Sequence, residues 1–366
     1  MRILGVGNAR SVHTRRWAKL LAARGHEVHV LSDRLPDGSG QVGGVTFHSF
    51  AEQGTSMRIR GVRRFFLPRG VSAVAGRLEV DLVHAHYVLP YGDWAARAAV
   101  HPLVVSPWGT DVLVHGRERR RGRRRAQRAL VAADRVVVNS RALARASVEL
   151  GADPAQIEHV FWHLDLAEFG PDQADRRLRT GLGWPQDALI VLSLRGFRPD
   201  MNPAVLVRAF ALVVAEEPRA RLLLANRTGP LREETRGLAH ELGLDELVAF
   251  HAVPTEELPP LVASCDVAVT LSESDSTPPS LLESMASGLP VVTTPAASVD
   301  EWVKAGEGAE VVPYRDEEAT AEAILRLLRD RRLRDLYGQR NVRIVGERVT
   351  DPGPELERVY REVLGG

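Results

Sequence analysis

One cysteine, Cys265, stands among 366 residues, so no internal disulfide framework can form and the chain suits a reducing compartment. Aromatics make up only 5%, which leaves the core to Leu, Val and Ala. No apolar run approaches the roughly 18 residues of a membrane span. The opening stretch from Met1 reads as a strand and a glycine turn, without the apolar core of a leader. Lysine is nearly missing: only Lys19 and Lys304 among 48 basic residues, an arginine bias that a GC-rich genome alone would give. These absences point to a soluble, cytoplasmic chain.

What is present is ordinary for a folded protein, with 44% hydrophobic and 26% charged residues. The length suits two domains. Charge is unevenly spread. Residues 1–170 carry 25 Lys+Arg against 15 Asp+Glu, a balance of +10; residues 171–366 carry 23 against 32, a balance of −9. The basic half is expected to face something anionic.

The first thirty residues read as a β-turn-α-β unit. Arg2 to Gly7 is a short strand ending in Gly5-x-Gly7, a helix spans Val12 to Arg24 with Gly25 closing it, and Val28 to Leu31 is the next strand. Further apolar runs alternate with helical patterns: Leu82-Val83, Leu103 to Val105, Val136 to Val138, Ile190 to Leu194, Leu222 to Leu224, Val267 to Thr270 and Val291-Val292. Continuous apolar strands suit parallel sheets covered on both faces. Pro171, Gly181, Gly183 and Pro185 punctuate a polar stretch, after which the alternation restarts. The expectation is an α/β chain of two doubly wound domains, 1–170 and 171–344, with a terminal helix within 345–366 packing back on the first. A ligand is expected between the carboxyl ends of the two sets of strands.

The most informative stretch runs from Ser272 to Val292 and passes from a strand through a turn and a helix to the next strand. Asp275 lies in the turn and Glu283 near the helix start, with seven residues between them. One carboxylate can accept ribose hydroxyls, the other can hold a sugar hydroxyl, and the helix N-terminus can receive phosphate. The same letters admit a plainer reading, in which Ser280-x-x-Glu283 is a capping box and Asp275 a turn former.

The segment resembles the acidic-x7-acidic motif of the family 4 retaining glycosyltransferases, including the following Met285-Ala-Ser-Gly-Leu-Pro-Val-Val292. Ser11 to Trp17, Gly25 to Val28, Asp81 to His86, Trp108 to Asp111, Asn139-Ser140, Leu164 to Phe169, Phe250 to Leu258 and Asp266 to Val269 match further landmarks in the same order. The resemblance implies a GT-B architecture, two Rossmann-like domains facing across a cleft, and transfer of a sugar from a UDP- or GDP-sugar to an acceptor hydroxyl with retention. Glu283 would bind the donor ribose, Asp275 the transferred sugar, and Arg195 the diphosphate. Thr277, Ser280 and Leu281 would add N–H groups, and Gly5 and Gly7 would admit the phosphates. His86 and Asp111 join Arg195 and Asp275 as candidate catalytic residues; His13, His86, Trp108 and Asp111 would face the acceptor, a sugar, lipid or natural product.

The pattern departs from the family in places. Arg198 stands near a missing lysine, Ser276-Thr-Pro-Pro279 replaces a glycine pair, and Trp108 stands where many members have histidine. These departures keep two other readings open, a pseudo-glycosyltransferase or epimerase and a non-catalytic nucleotide-sugar binder. No Asp-x-Asp pair or His/Cys cluster has metal spacing, so neither metal nor cofactor is expected. Arg117 to Arg128 holds eight arginines in the thirteen residues from Gly116. It reads equally as a solvated helix face or a contact with anionic membrane or acceptor; nucleic acid is disfavoured because no aromatics interleave.

Overall fold

The computed structural model describes residues 1–35, 41–51, 63–118, 120–161, 168–175, 177–296 and 298–365. Met1–His163 with Asp351–Gly366 forms one compact unit and Leu164–Thr350 a second.

In unit 1, β1 (Arg2–Val6), β2 (Glu27–Ser32), β3 (Gln41–Val42), β4 (Val45–Ser49), β5 (Leu82–His86), β6 (Leu103–Ser106), β7 (Arg135–Val138) and β8 (Ile157–His159) form one sheet. Their order is β3-β4-β2-β1-β5-β6-β7-β8, and only the β3–β4 pair is antiparallel. Helices α1 (Val12–Ala23), α2 (Arg63–Leu78), α3 (Asp93–Ala98), α4 (Gly116–Glu118), α5 (Arg120–Val131) and α6 (Arg141–Glu149) connect them. α1 buries Thr14, Trp17, Ala18 and Leu21 on its inner face. Gly25 ends it at φ +84°, a conformation that glycine takes without steric cost.

Unit 2 holds β9 (Leu189–Ser193), β10 (Ala220–Leu224), β11 (Val248–Ala249), β12 (Val267–Thr270), β13 (Val291–Thr293), β14 (Lys304–Ala305) and β15 (Gly308–Val311) in a parallel sheet of order β11-β10-β9-β12-β13-β15-β14. Helices α7 (Leu178–Gly181), α8 (Pro203–Glu216), α9 (Arg232–Glu241), α10 (Leu258–Ala263), α11 (Pro279–Ala286), α12 (Glu317–Arg329) and α13 (Arg331–Arg348) belong to it. Its core is aliphatic, built from residues such as Val191, Leu222, Val267, Val292 and Ile324 with Phe210.

The last helix, α14 (Gly353–Val363), belongs to unit 1. Leu356, Val359 and Tyr360 join the cluster of Ile3, Trp17, Val28 and Val104. Burial of side chains of this size contributes about 1.5–3 kcal/mol each. A polar chain runs through the same contact. Trp17 Nε1 donates to the Tyr360 hydroxyl at 3.0 Å, which lies 2.6 Å from His84 Nδ1, and His84 Nε2 lies 2.8 Å from Ser106 Oγ. At the helix flank, Glu357 accepts from Arg24 Nε and from His26 Nε2, each at 2.9 Å. The Arg24 hydrogen bond, ahead of the others, holds its carboxyl down at about 2.

Candidate active site

β12 lies between β9 and β13 in the sheet of unit 2, which brings the segments leaving β9 and β12 side by side. Arg195 follows β9 and Asp275 follows β12. Their side chains form an ion pair, and both are mostly buried, at 16% and 18% exposure. Arg195 Nη1 also donates to Ser280 Oγ at 2.9 Å, and its Nε and Nη2 reach Met201 Sδ. Burial raises the Asp275 pKa, and the Arg195 charge works against that rise. A desolvated carboxylate with one strong cationic partner fits a binding group whose partner can be exchanged.

The turn before α11 is braced from distant parts of the unit. Trp302 Nε1 donates to Thr277 Oγ1 at 3.2 Å, and Asn202 Nδ2 to the Leu271 carbonyl at 2.9 Å. Glu283 is buried in the helix, 6% exposed. Arg198 reaches Asp200 with its Nε at 2.9 Å, while its charge also acts on Asp275.

Two expectations change here. The N-cap of α11 is Pro278, which has no side-chain acceptor, and Ser280 sits inside the first turn receiving Arg195. The capping-box reading therefore fails. Leu281 is not an open donor either, since its N–H donates to the Pro278 carbonyl at 3.0 Å. Met201, Asn202 and Trp302 carried no signal in the sequence, because each reaches the turn from a remote loop.

Unit 1 sorts its candidates differently. Gly5 lies inside β1, where a Cβ would stand 2.7 Å from the Trp17 ring, so it is a packing residue rather than part of a phosphate loop. At Gly7 a Cβ would meet His86 Cβ at 3.2 Å and Thr14 Oγ1 at 3.5 Å. His86 is fully buried, stacked on His84 with centroids 4.4 Å apart, and among the described residues neither ring nitrogen has a hydrogen-bond partner. Burial first, then the nearby His84 and His13, holds its pKa well down. The ring is enclosed in this structure, where the sequence reading put it among the catalytic and acceptor-side groups.

Asp111 is also fully buried. Its carboxylate accepts from the N–H of Val88 at 2.7 Å, of Gly109 at 2.9 Å and of Trp108 at 3.1 Å. Burial raises its pKa against those hydrogen bonds. Its carboxylate ties two loops together through their backbone N–H groups. His13 is half-buried and meets Trp108 edge-on, with centroids 5.3 Å apart; burial, aided by Arg16, lowers its pKa to about 4.

The arginine segment divides as well. Arg125 and Arg128 pair with buried Asp93 at 2.8 and 2.6 Å, and Arg117 pairs with Glu149. Arg120, Arg121, Arg123 and Arg124 are exposed. Among the described residues no helix is long and apolar enough to cross a membrane.

The family model for glycosyl transferases group 1 matches residues 175–343, and the model for glycosyl transferase 4-like proteins matches residues 2–140. The chain is 31% identical to a D-inositol 3-phosphate glycosyltransferase of Thermomonospora curvata, over 86% of this chain and 80% of that protein. It is 26% identical to an N-acetyl-alpha-D-glucosaminyl L-malate synthase of Bacillus anthracis, over 94% of this chain and 92% of that one. Among solved structures, HepE of Anabaena in complex with UDP and glucose aligns with a TM-score of 0.80 at 17% identity, over 98% of both chains.

Proposed function

The chain belongs to the family 4 glycosyltransferases, and from that premise we propose that it moves a sugar from a UDP- or GDP-sugar to an acceptor hydroxyl, with retention and without a metal. The observation that carries the reading is the Arg195–Asp275–Ser280 cluster, with Glu283 buried in the helix that follows. Arg195 binds the diphosphate and offsets the charge that builds as it leaves. Asp275, freed from Arg195, accepts a hydroxyl of the transferred sugar, and Glu283 accepts the ribose hydroxyls. The acceptor oxygen attacks the anomeric carbon on the face the diphosphate vacates. The carbon–phosphate-oxygen bond breaks, and the departing oxygen takes the acceptor proton, so no protein nucleophile forms a covalent bond. HepE, solved with UDP and glucose, supports a uridine nucleotide as donor.

The experiment that tests this reading follows the product by proton NMR, with UDP- or GDP-sugars and a panel of sugar acceptors, with and without EDTA. An α-linked product from an α-linked donor, formed at the same rate with chelator, is the expected result. A β-linked product or abolition by EDTA would overturn retention or metal independence respectively.

The same reading includes a peripheral contact with anionic membrane through Arg120, Arg121, Arg123 and Arg124. Each basic residue near such a surface contributes about 1 kcal/mol. Vesicles of phosphatidylglycerol are expected to sediment with the protein, and serine at these four positions to release it. Equal binding to pure phosphatidylcholine vesicles would contradict the contact.

A further inference from the structure

β5 and β6 run side by side in unit 1, with His86 opposite Ser106, and the two chains that leave them are held unusually tightly. The first departs through Tyr87 at φ +81°, a left-handed conformation that a bulky side chain adopts only under strain. The second departs through Pro107, Trp108 and Gly109. The Asp111 carboxylate ties both, accepting Val88 N–H from one and Trp108 and Gly109 N–H from the other. A hydrogen bond between the Tyr87 and Thr110 hydroxyls adds a second tie. Strain of this kind persists where the surroundings over-determine it, and it concentrates at ligand sites.

What these loops hold in place is Trp108, half-buried, with its indole Nε1 enclosed. The rings of His13, His86 and Tyr87 stand around it, with centroids 5.3, 5.6 and 6.2 Å away and interplanar angles of 81°, 57° and 78°. Burial keeps both imidazoles neutral, so the rings around the indole are uncharged.

We propose that Trp108 is the platform on which a pyranoside acceptor stacks, its C–H face on the indole and its hydroxyls toward the rim. This rests on the glycosyl-transfer reading and goes beyond it by naming the acceptor class and the residue that selects it. An indole offers a large, rigid, amphipathic surface with only two side-chain torsions to order. A pyranose ring supplies the match, an apolar face of ring C–H groups and a polar edge. An acyclic polyol has no such face.

The chain holds six tryptophans, so indole N–H signals of the 15N-labelled full chain can be compared, and Trp108→Phe identifies the one that is lost. Titration with methyl β-D-glucopyranoside is expected to move that signal, and glycerol at equal concentration to leave it in place. A Trp108 signal that stays put, or moves equally with glycerol, overturns the proposal. In transfer to the same glycoside, Trp108→Ala is expected to raise the acceptor KM about tenfold or more, and Trp108→Phe to restore it to within about threefold. A fall in kcat in both variants at unchanged acceptor KM would mean that the residue only braces its loop. The NMR arm needs no donor, so it remains readable even if no nucleotide binds and the glycosyl-transfer reading fails.

Discussion

Replacing Asp275 with Asn is expected to tighten the binding of free nucleoside diphosphate about tenfold while lowering sugar transfer about a hundredfold or more. The reason is the pairing found in unit 2. The guanidinium assigned to the diphosphate is already engaged by a carboxylate, with both side chains more than four-fifths buried. A diphosphate must therefore displace Asp275 from Arg195 and then lie near a second negative charge. Asparagine keeps the shape, removes the charge and weakens the competitor. Catalysis moves the opposite way, because an amide holds a sugar hydroxyl less strongly than a carboxylate does. Isothermal titration with UDP and GDP, paired with transfer rates, checks both halves. Unchanged or weaker nucleotide binding in Asp275→Asn would show that the ion pair does not compete with the ligand.

Glu283→Gln is expected to act in the reverse sense on nucleotides, weakening UDP or GDP by about ten- to a hundredfold, the worth of a charge-assisted hydrogen bond. Glutamine preserves the volume of a side chain that is only 6% exposed, so packing is little disturbed. The ribose supplies an internal control. A 2′-deoxynucleotide has already lost one of the hydroxyls that Glu283 would accept, so the substitution should cost it clearly less. The two residues thus separate by sign, Asp275 opposing the bare nucleotide and Glu283 supporting it. Equal losses for ribo- and deoxynucleotides would remove Glu283 from the ribose.

The central strands were legible because both of their faces are covered. Runs such as Val136 to Val138 and Val267 to Thr270 carry no polar face that could blur them, and each lies within a strand. Edge pieces were not: β11 and β14 are two residues long, and Lys304-Ala305 is exposed. The order of the donor-site motifs was also readable, since it follows chain order. What joins Arg195 to Asp275 is the adjacency of β9 and β12 across 80 residues, which spacing cannot show. The surroundings of the unit 1 candidates were not legible in the sequence. A polar residue at a strand end looks the same whether it faces solvent or a neighbouring loop. Asp111 is consumed by three backbone N–H groups, His86 is enclosed by Trp17, His84 and Trp108, and Gly5 makes room for Trp17. Arg125 and Arg128, counted with a solvated cluster, satisfy the buried charge of Asp93.

The central claim is that unit 2 carries a nucleoside-diphosphate site, and a thermal-shift panel with UDP, GDP, ADP, TDP and their common sugar conjugates tests it most directly. A ligand at 100 times its dissociation constant adds about 2.7 kcal/mol of stability. The account predicts that UDP or GDP raises the unfolding midpoint above the rest, that the matching sugar conjugate does so too, and that Glu283→Gln cuts the shift by about half or more. An unchanged midpoint with every nucleotide would contradict it, leaving the Arg195–Asp275 pair a closed structural contact.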